Sequence, residues 1–382
     1  MNSPYQRIDL SSNSFNKNEP DNSIPLDVLL YSNYIKYDKL KELTSFQFAN
    51  SNENTLNIYI DMYTILRPLY KRNLIQNSSI FASMILNLAA HMRAYYWTRH
   101  RVATNIYIIM SSNSIVLTKE CCMVPEWNIT DSFIPNPKRD EILKWNNQLM
   151  RLLVPYFPNL YFIEASVESS VIISHLIRTN SNKYPNVILT KDLMCWQIPA
   201  LDSNTCIFRP RKSKDQDTSF CVNQSNVFNQ WKTIATHSSG DSETPLPSDM
   251  LSLYIALTSF SARGLKSYYS PRMATNKILE LLSEQKIRYG YNSPEAIKKV
   301  LLSIDYKKDD YTGSNHITNN LYNRYNMVDL YRLTNIYEQL PESQNRSWDY
   351  HKTDPESIRE INDKFFINNP IDIIRLMDNP GV

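Results

Sequence analysis

Two periodicities divide the chain. Four short apolar runs have the length and Ile/Val/Tyr content of buried strands: "LNIYID" (56–61), "NIYIIM" (105–110), "NLYFIEA" (159–165) and "NVILT" (186–190). Between them the apolar residues recur at helical spacing, in "SSIFASMILNLAAHMRAYYW" (a helix over 78–100), "RDEILKWNNQLMRLLVPYF" (139–157) and "ESSVIISHLIRTN" (168–180). Strands alternating with helices predict an α/β fold: a mostly parallel central sheet with helices on both faces. In such sheets the functional edge lies beyond the carboxyl ends of the strands. Asp61, Ser111, the 164–168 segment and Asp192 all fall on that edge.

The remaining stretches set the predicted boundaries. Residues 1–50 are polar, rich in Asn and Ser, and punctuated by Pro; they read as an extended arm with one short helix near "YDKLKELTSF". Residues 51–235 hold the α/β domain, with an irregular excursion over 111–137 and a polar stretch over 200–248 that carries the basic run "FRPRKSKD". Residues 245–340 form a helical subdomain, built from "SDMLSLYIAL", "SPRMATNKILELLSEQK", "SPEAIKKVLLSI" and "NLYNRYNMVDLYRLTNIYEQL". Residues 341–382 read as a tail with one or two short helices. There is no internal repeat.

Composition narrows the function classes. At 42% hydrophobic and 21% charged residues the chain is globular, and its net charge of +3 is too mild to declare a nucleic-acid partner. No apolar run reaches the ~18 residues that span a bilayer, and the first residues lack a signal-peptide pattern. The five cysteines show no CxxC spacing, which points to reduced thiols and away from a zinc site. No glycine precedes Gly240, so neither a P-loop nor a GxGxxG can occur in the first 239 residues. The abundance of Tyr, Asn, Ile and Ser suggests coding by an AT-rich genome.

The order of motifs resembles the flap endonuclease and 5′–3′ exonuclease family, especially its phage-type RNase H branch, which shares a core with PIN domains. The resemblance covers roughly residues 55–340. "IYIDMYTILRPLY" is similar to the family's opening strand, with Asp61 and Arg67 matched. "IYIIMSS" places Ser111 or Ser112 where the family has an aspartate. "FIEASVESSVIISHLI" keeps Glu168, but Ser169, Ser170 and Val171 follow where the family has further acids. "TKDLMCWQI" keeps Asp192 and Gln197 while Met194 replaces the second aspartate. Phe260 and Arg263 fall about where two more acids belong. What the resemblance implies is a cluster of carboxylates holding two divalent ions, one activating water and one steadying the leaving oxygen. Hard ions need many oxygen ligands, and only Asp61, Glu168 and Asp192 survive as metal candidates. They could hold a single Mg or Mn through waters. Candidate nucleic-acid contacts are Arg67, Lys138, Arg139, Arg209, Arg211 and Lys212.

Each of these residues has a plainer reading. Asp61 could cap the next turn or pair with Arg67. Glu168 suits the first turn of a helix on electrostatic grounds. Asp192 could cap the helix that follows it. The basic run near Arg209, Arg211 and Lys212 is also a solvated loop, since Asp215 and Asp217 follow at once. Tyr95, Tyr96 and Trp97 read as core or interface residues, and Trp196 and Trp231 as packing residues.

Two functions remain. The first is a catalytically degenerate flap-endonuclease-like protein that works by binding. Its arm and the phage-type resemblance suggest a virion-associated bacteriophage component with virion-protein partners, in the particle or the host cytoplasm. The second is an active Mg-dependent 5′ nuclease with a reduced acid set. The acid count favours the first, without catalysis and without a required cofactor.

Overall fold

The computed structural model describes residues 55–62, 78–111, 137–165, 167–179, 184–190, 192–209, 220–235, 246–258, 260, 265, 267–288, 294–305, 321–340 and parts of 356–377. Its centre is a six-stranded sheet. The strands are β1 (Thr55–Asp61), β2 (Ala103–Ser111), β3 (Leu160–Ala165), β4 (Asn186–Leu189), β5 (Thr205–Arg209) and β6 (Phe220–Val222). They lie in the order β3-β2-β1-β4-β5-β6. The first five strands are parallel and β6 is antiparallel to β5. The mostly parallel sheet expected from the sequence is therefore present.

The chain steps outward from β1 to β2 and β3, then returns across β1 to lay down β4. The reversal between β1 and β4 is a topological switch point, where a crevice opens at the carboxyl rim. Register fixes what faces it. Ile58 pairs with Ile106 on one side and Val187 on the other, while Asp61 pairs with Ile109.

Alternation assigns the two faces. Leu56, Ile58 and Ile60 pack on α1 (Ser78–His100) and α2 (Pro137–Leu153). Tyr59, Ile109, Ile163 and Ile188 face the other way, towards α3 (Ser169–Thr179). The odd face also carries two cross-strand ladders. Tyr59, Tyr107 and Tyr161 stack at 4.9 and 4.8 Å between ring centroids. Asn105 donates to Asn57 at 3.0 Å and Asn57 to Asn186 at 3.1 Å. Burial beside the Tyr161 phenol pushes the Tyr107 hydroxyl upward in pKa.

The structure adds detail to three of the sequence readings. The 200–248 stretch holds β5, β6 and a helix, α5 (Val227–Ala235), beyond the short α4 (Gln197–Leu201). "TCIFR" is only five residues long and is flanked by polar runs, so its pattern is too brief to read alone; paired to β4 it buries Cys206 and Ile207 completely. The run 320–340 is two helices, α9 (Leu321–Val328) and α10 (Leu330–Gln339), because extended Asp329 breaks the first and caps the second. The 341–382 segment includes α11 (Ile373–Met377), whose Ile371, Ile373 and Leu376 join the α1 core.

The helical segment adds α6 (Leu251–Leu257), α7 (Pro271–Ser283) and α8 (Pro294–Asp305). Ser270 and Pro271 start α7 as cap and first residue, the side chain of Ser270 accepting from Met273 N. One apolar cluster runs from Tyr59 and Ile188 of the sheet through Trp196 and Trp231 to Leu281, Leu301 and Tyr337. The α/β and helical segments thus share a core. Among the described residues no helix is long and apolar enough to cross a membrane.

Candidate functional site

The carboxyl ends of β1, β2 and β4 bring Asp61, Ser111, Thr190 and Asp192 to one rim, as the strand order requires. Asp61 ends β1 and is fully buried; its Oδ2 accepts from Thr190 Oγ1 at 2.7 Å across the switch point. The same Thr190 oxygen accepts from Asp192 N at 2.9 Å. Asp192 Oδ1 then accepts from Met194 N at 2.9 Å and caps the 3-10 turn Leu193–Trp196. One hydroxyl and two carboxylates therefore pin a tight turn. The cap read for Asp192 is present in this geometry.

Ser111, at the end of β2, donates to Val167 O at 2.6 Å and ties that rim to the entry of α3. Glu168 is 1% exposed, and its carbonyl accepts from the amides of Val171 and Ile172 at the start of α3. Ser169, Ser170 and Val171 are all buried behind it. Met194 and Cys195, standing near Asp61 and Asp192, are 0% exposed. Burial, reinforced by the charges of Asp192 and Asp61, pushes the Cys195 thiol up, so it stays protonated and unreactive.

Phe260 is packed edge-on against Trp231 at 5.3 Å, and Trp231 against Trp196 at 5.9 Å. An aromatic column thus fills the space between the turn at Asp192 and the Phe260–Leu265 bridge. Arg324, also buried, donates to Ala256 O at 2.8 Å and Thr258 O at 2.5 Å, fixing the end of α6 that leads into this bridge.

Among the described residues no group of three or more His, Cys, Asp or Glu converges closely enough to hold a metal ion. One oxygen on Asp61 and one on Asp192 already accept structural hydrogen bonds. Arg67, Arg211, Lys212, Ser112 and Arg263 lie outside the described residues. Lys138 and Arg139 begin α2, and Arg209 ends β5; the connectivity puts all three backbones at the same rim as Asp61.

Sequence reasoning missed how Gln197 is used. It is 2% exposed, and its Nε2 donates to Val328 O at 2.7 Å. Its Oε1 accepts from Ser252 Oγ at 2.6 Å and Leu330 N at 3.1 Å. It also bridges the break between α9 and α10. The signal available was its polar side chain inside an apolar run, which demands partners but does not name them. Thr190 was missed too, though a Thr two residues before Asp is the pattern of a local hydroxyl–amide turn.

No protein-family model matches the sequence, and no curated protein matches it. Several solved structures do. A bacteriophage T5 protein co-crystallised with metal ions matches at TM-score 0.46 and 10% identity, over 84% of this chain and 99% of that one. A bacteriophage T5 flap endonuclease in a pseudo-enzyme–product complex with DNA and metal ions matches at 0.43 and 13%, over 84% and 98%. Human GEN1 in complex with Holliday junction DNA matches at 0.40 and 11%, over 84% and 71%. They fall in the flap endonuclease and 5′–3′ exonuclease family that the motifs resemble. At these scores the likeness is one of general layout, and the chemistry is read from this chain's own side chains.

Proposed function

We propose that this chain is a catalytically degenerate flap-endonuclease-like protein that acts by binding, as a virion-associated component of a bacteriophage. The observation that carries the first half is the fate of the rim carboxylates. Asp61 is buried against Thr190, and Asp192 caps Met194. Each carboxylate already gives one oxygen to a structural bond, and a hard divalent ion at the rim would find Met194 and Phe260, two buried apolar side chains, where the resemblance calls for acids. Two ions a few ångströms apart need several converging carboxylates, and no such group is found among the described residues. The rim keeps its shape while the polar groups serve the fold.

The second half rests on the long Asn/Ser-rich arm of residues 1–50, whose composition suits a segment that orders against a partner. The partners it implies are other virion proteins, with nucleic acid as a further one at the basic rim residues Lys138, Arg139 and Arg209.

The test is cleavage of a 5′-flap and a nicked duplex with Mg and then Mn, alongside an Asp61→Ala/Asp192→Ala double variant. No cleavage by either protein, and no calorimetric Mn binding, is expected. Metal-dependent cutting by the wild type that the double variant lacks would establish the nuclease instead. The particle assignment is checked separately by mass spectrometry of purified virions, where absence of the chain refutes it.

A further inference from the structure

We propose that the flank of α1 is a peptide-docking groove whose resident ligand is the chain's own α11, read by apolar slots and by buried Arg93 at its last turn. The contact has the form of a helix laid in a groove. Ile371, Ile373 and Leu376 are buried in the apolar cluster that α1 shares with the sheet, and Met377 packs on the same cluster. Ile374, on the opposite face, is 72% exposed. One face of α11 therefore meets the groove and the other meets solvent. Residues 341–370 lie between α10 and this segment, so the docking joins distant parts of the chain.

Arg93 makes the groove selective. It is 0% exposed, and its partners among the described residues are three main-chain carbonyls. Nη2 donates to Pro158 O at 2.7 Å and Asn159 O at 3.2 Å, in the turn that enters β3. The Asn159 carbonyl also accepts from Ile106 N at 2.9 Å, so the sheet fixes that turn. Nη1 donates to Leu376 O, in the last turn of α11. A carbonyl there has no partner within its own helix. Two of the three bonds do not involve α11, so the guanidinium is already aimed at the third and docking requires little reordering. Burial lowers the Arg93 pKa to about 10, which leaves a cation and a strong donor at neutral pH. The turn at Pro158 and Asn159 precedes β3, so the groove lies at the amino edge of the sheet, opposite the rim that carries Asp61 and Asp192.

Five residues are too few for a helix that is stable alone, so α11 takes its form from the groove. Covalent attachment raises its local concentration to roughly mM, and it thereby excludes other segments of the same chemistry. The probe is a fluorescein-labelled peptide of residues 369–382, followed by anisotropy against two full chains, the wild type and Ile373→Asp/Leu376→Asp, whose own α11 cannot dock. The peptide should bind the double variant at least about tenfold more tightly than the wild type, whose groove is filled. Within the peptide, Ile374→Asp should leave affinity unchanged and Leu376→Asp should abolish binding. A thioamide at Leu376, whose sulfur is a poorer acceptor, should weaken binding severalfold. Equal affinity for both chains, no binding to either, or a double variant that no longer folds overturns the proposal, because α11 is then an inseparable part of the core. Unchanged affinity of the thioamide peptide also overturns it, since Arg93 would then read nothing.

Discussion

Asp192 and Gln197 stand five residues apart, and both match the family motif, yet they serve different regions. Asp192 sits at the rim, half-buried, and its carboxylate closes a local turn on Met194 N. Gln197 sits at the seam between the sheet and the helical segment, where its amide is bonded to three groups on residues 252, 328 and 330. The turn at Asp192 is built from contacts within a few residues plus the bond from Thr190 to Asp61, while Gln197 at the seam is bonded to three groups more than fifty residues away. Gln197 thus ties distant parts of the chain together, while Asp192 orders its own turn.

The largest test of this contrast is Phe260→Asp. It empties the slot against Trp231 and buries a carboxylate, so unfolding free energy in urea should drop by about 4–5 kcal/mol. If the rim were instead a latent metal site, added Mn would restore most of that loss. Next comes Gln197→Leu, which strands Leu330 N–H, Val328 C=O and the Ser252 hydroxyl without their partner. A loss of about 3 kcal/mol is expected by denaturant titration. A cost below that of an ordinary surface change would mean that the seam is held by apolar packing alone.

Asp192→Ala should cost only about 1 kcal/mol, the usual value of a lost cap, and Asp192→Asn less, since its amide oxygen still accepts from Met194 N. A far larger penalty for Asn than for Ala would show that the charge matters and would reopen the metal reading. Smallest is Asp329→Asn. Burial raises the Asp329 carboxyl above its ordinary value, outweighing the hydrogen bonds that favour its charged form. A raised folded pKa means that this group's contribution is full in acid and is lost as pH rises through the unfolded value, ~3.9, and then the folded one. Asn keeps the cap on Arg332 N without titrating, so Asp329→Asn should be as stable as wild type or slightly more so at neutral pH. The advantage should vanish in acid, as urea midpoints at the two pH values would show.

Other contacts at the seam follow the same logic at lower weight. His175 and Arg178 of α3 both reach Glu338 of α10, at 3.2 and 3.6 Å, and Arg178 also donates to Asn335 at 2.8 Å. These groups are partly solvated, so the network orients α10 more than it stabilises it.

Much of the fold was legible in the chain itself. The strands at 55–61, 103–111, 160–165 and 186–189 announce themselves because each is a short, largely apolar run, and α3 because its apolar stripe repeats at 3.6 residues. That positions 194 and 260 carry Met and Phe and no carboxylate was also legible. β5 escaped because five residues are too few to carry a period, and the break at Asp329 escaped because an Asp in mid-helix can equally face solvent. Which polar groups meet was decided by tertiary structure alone. Thr190 reaches Asp61 because the chain crosses over β1 to lay β4 beside it, and Gln197 reaches Leu330 because α10 folds back over α3. Such bonds join residues more than a hundred apart, and hydrophobic period carries no information about partners at that range. The sequence determined the strands and the helices; the crossover decided that the carboxylate ending β1 is bonded to a threonine.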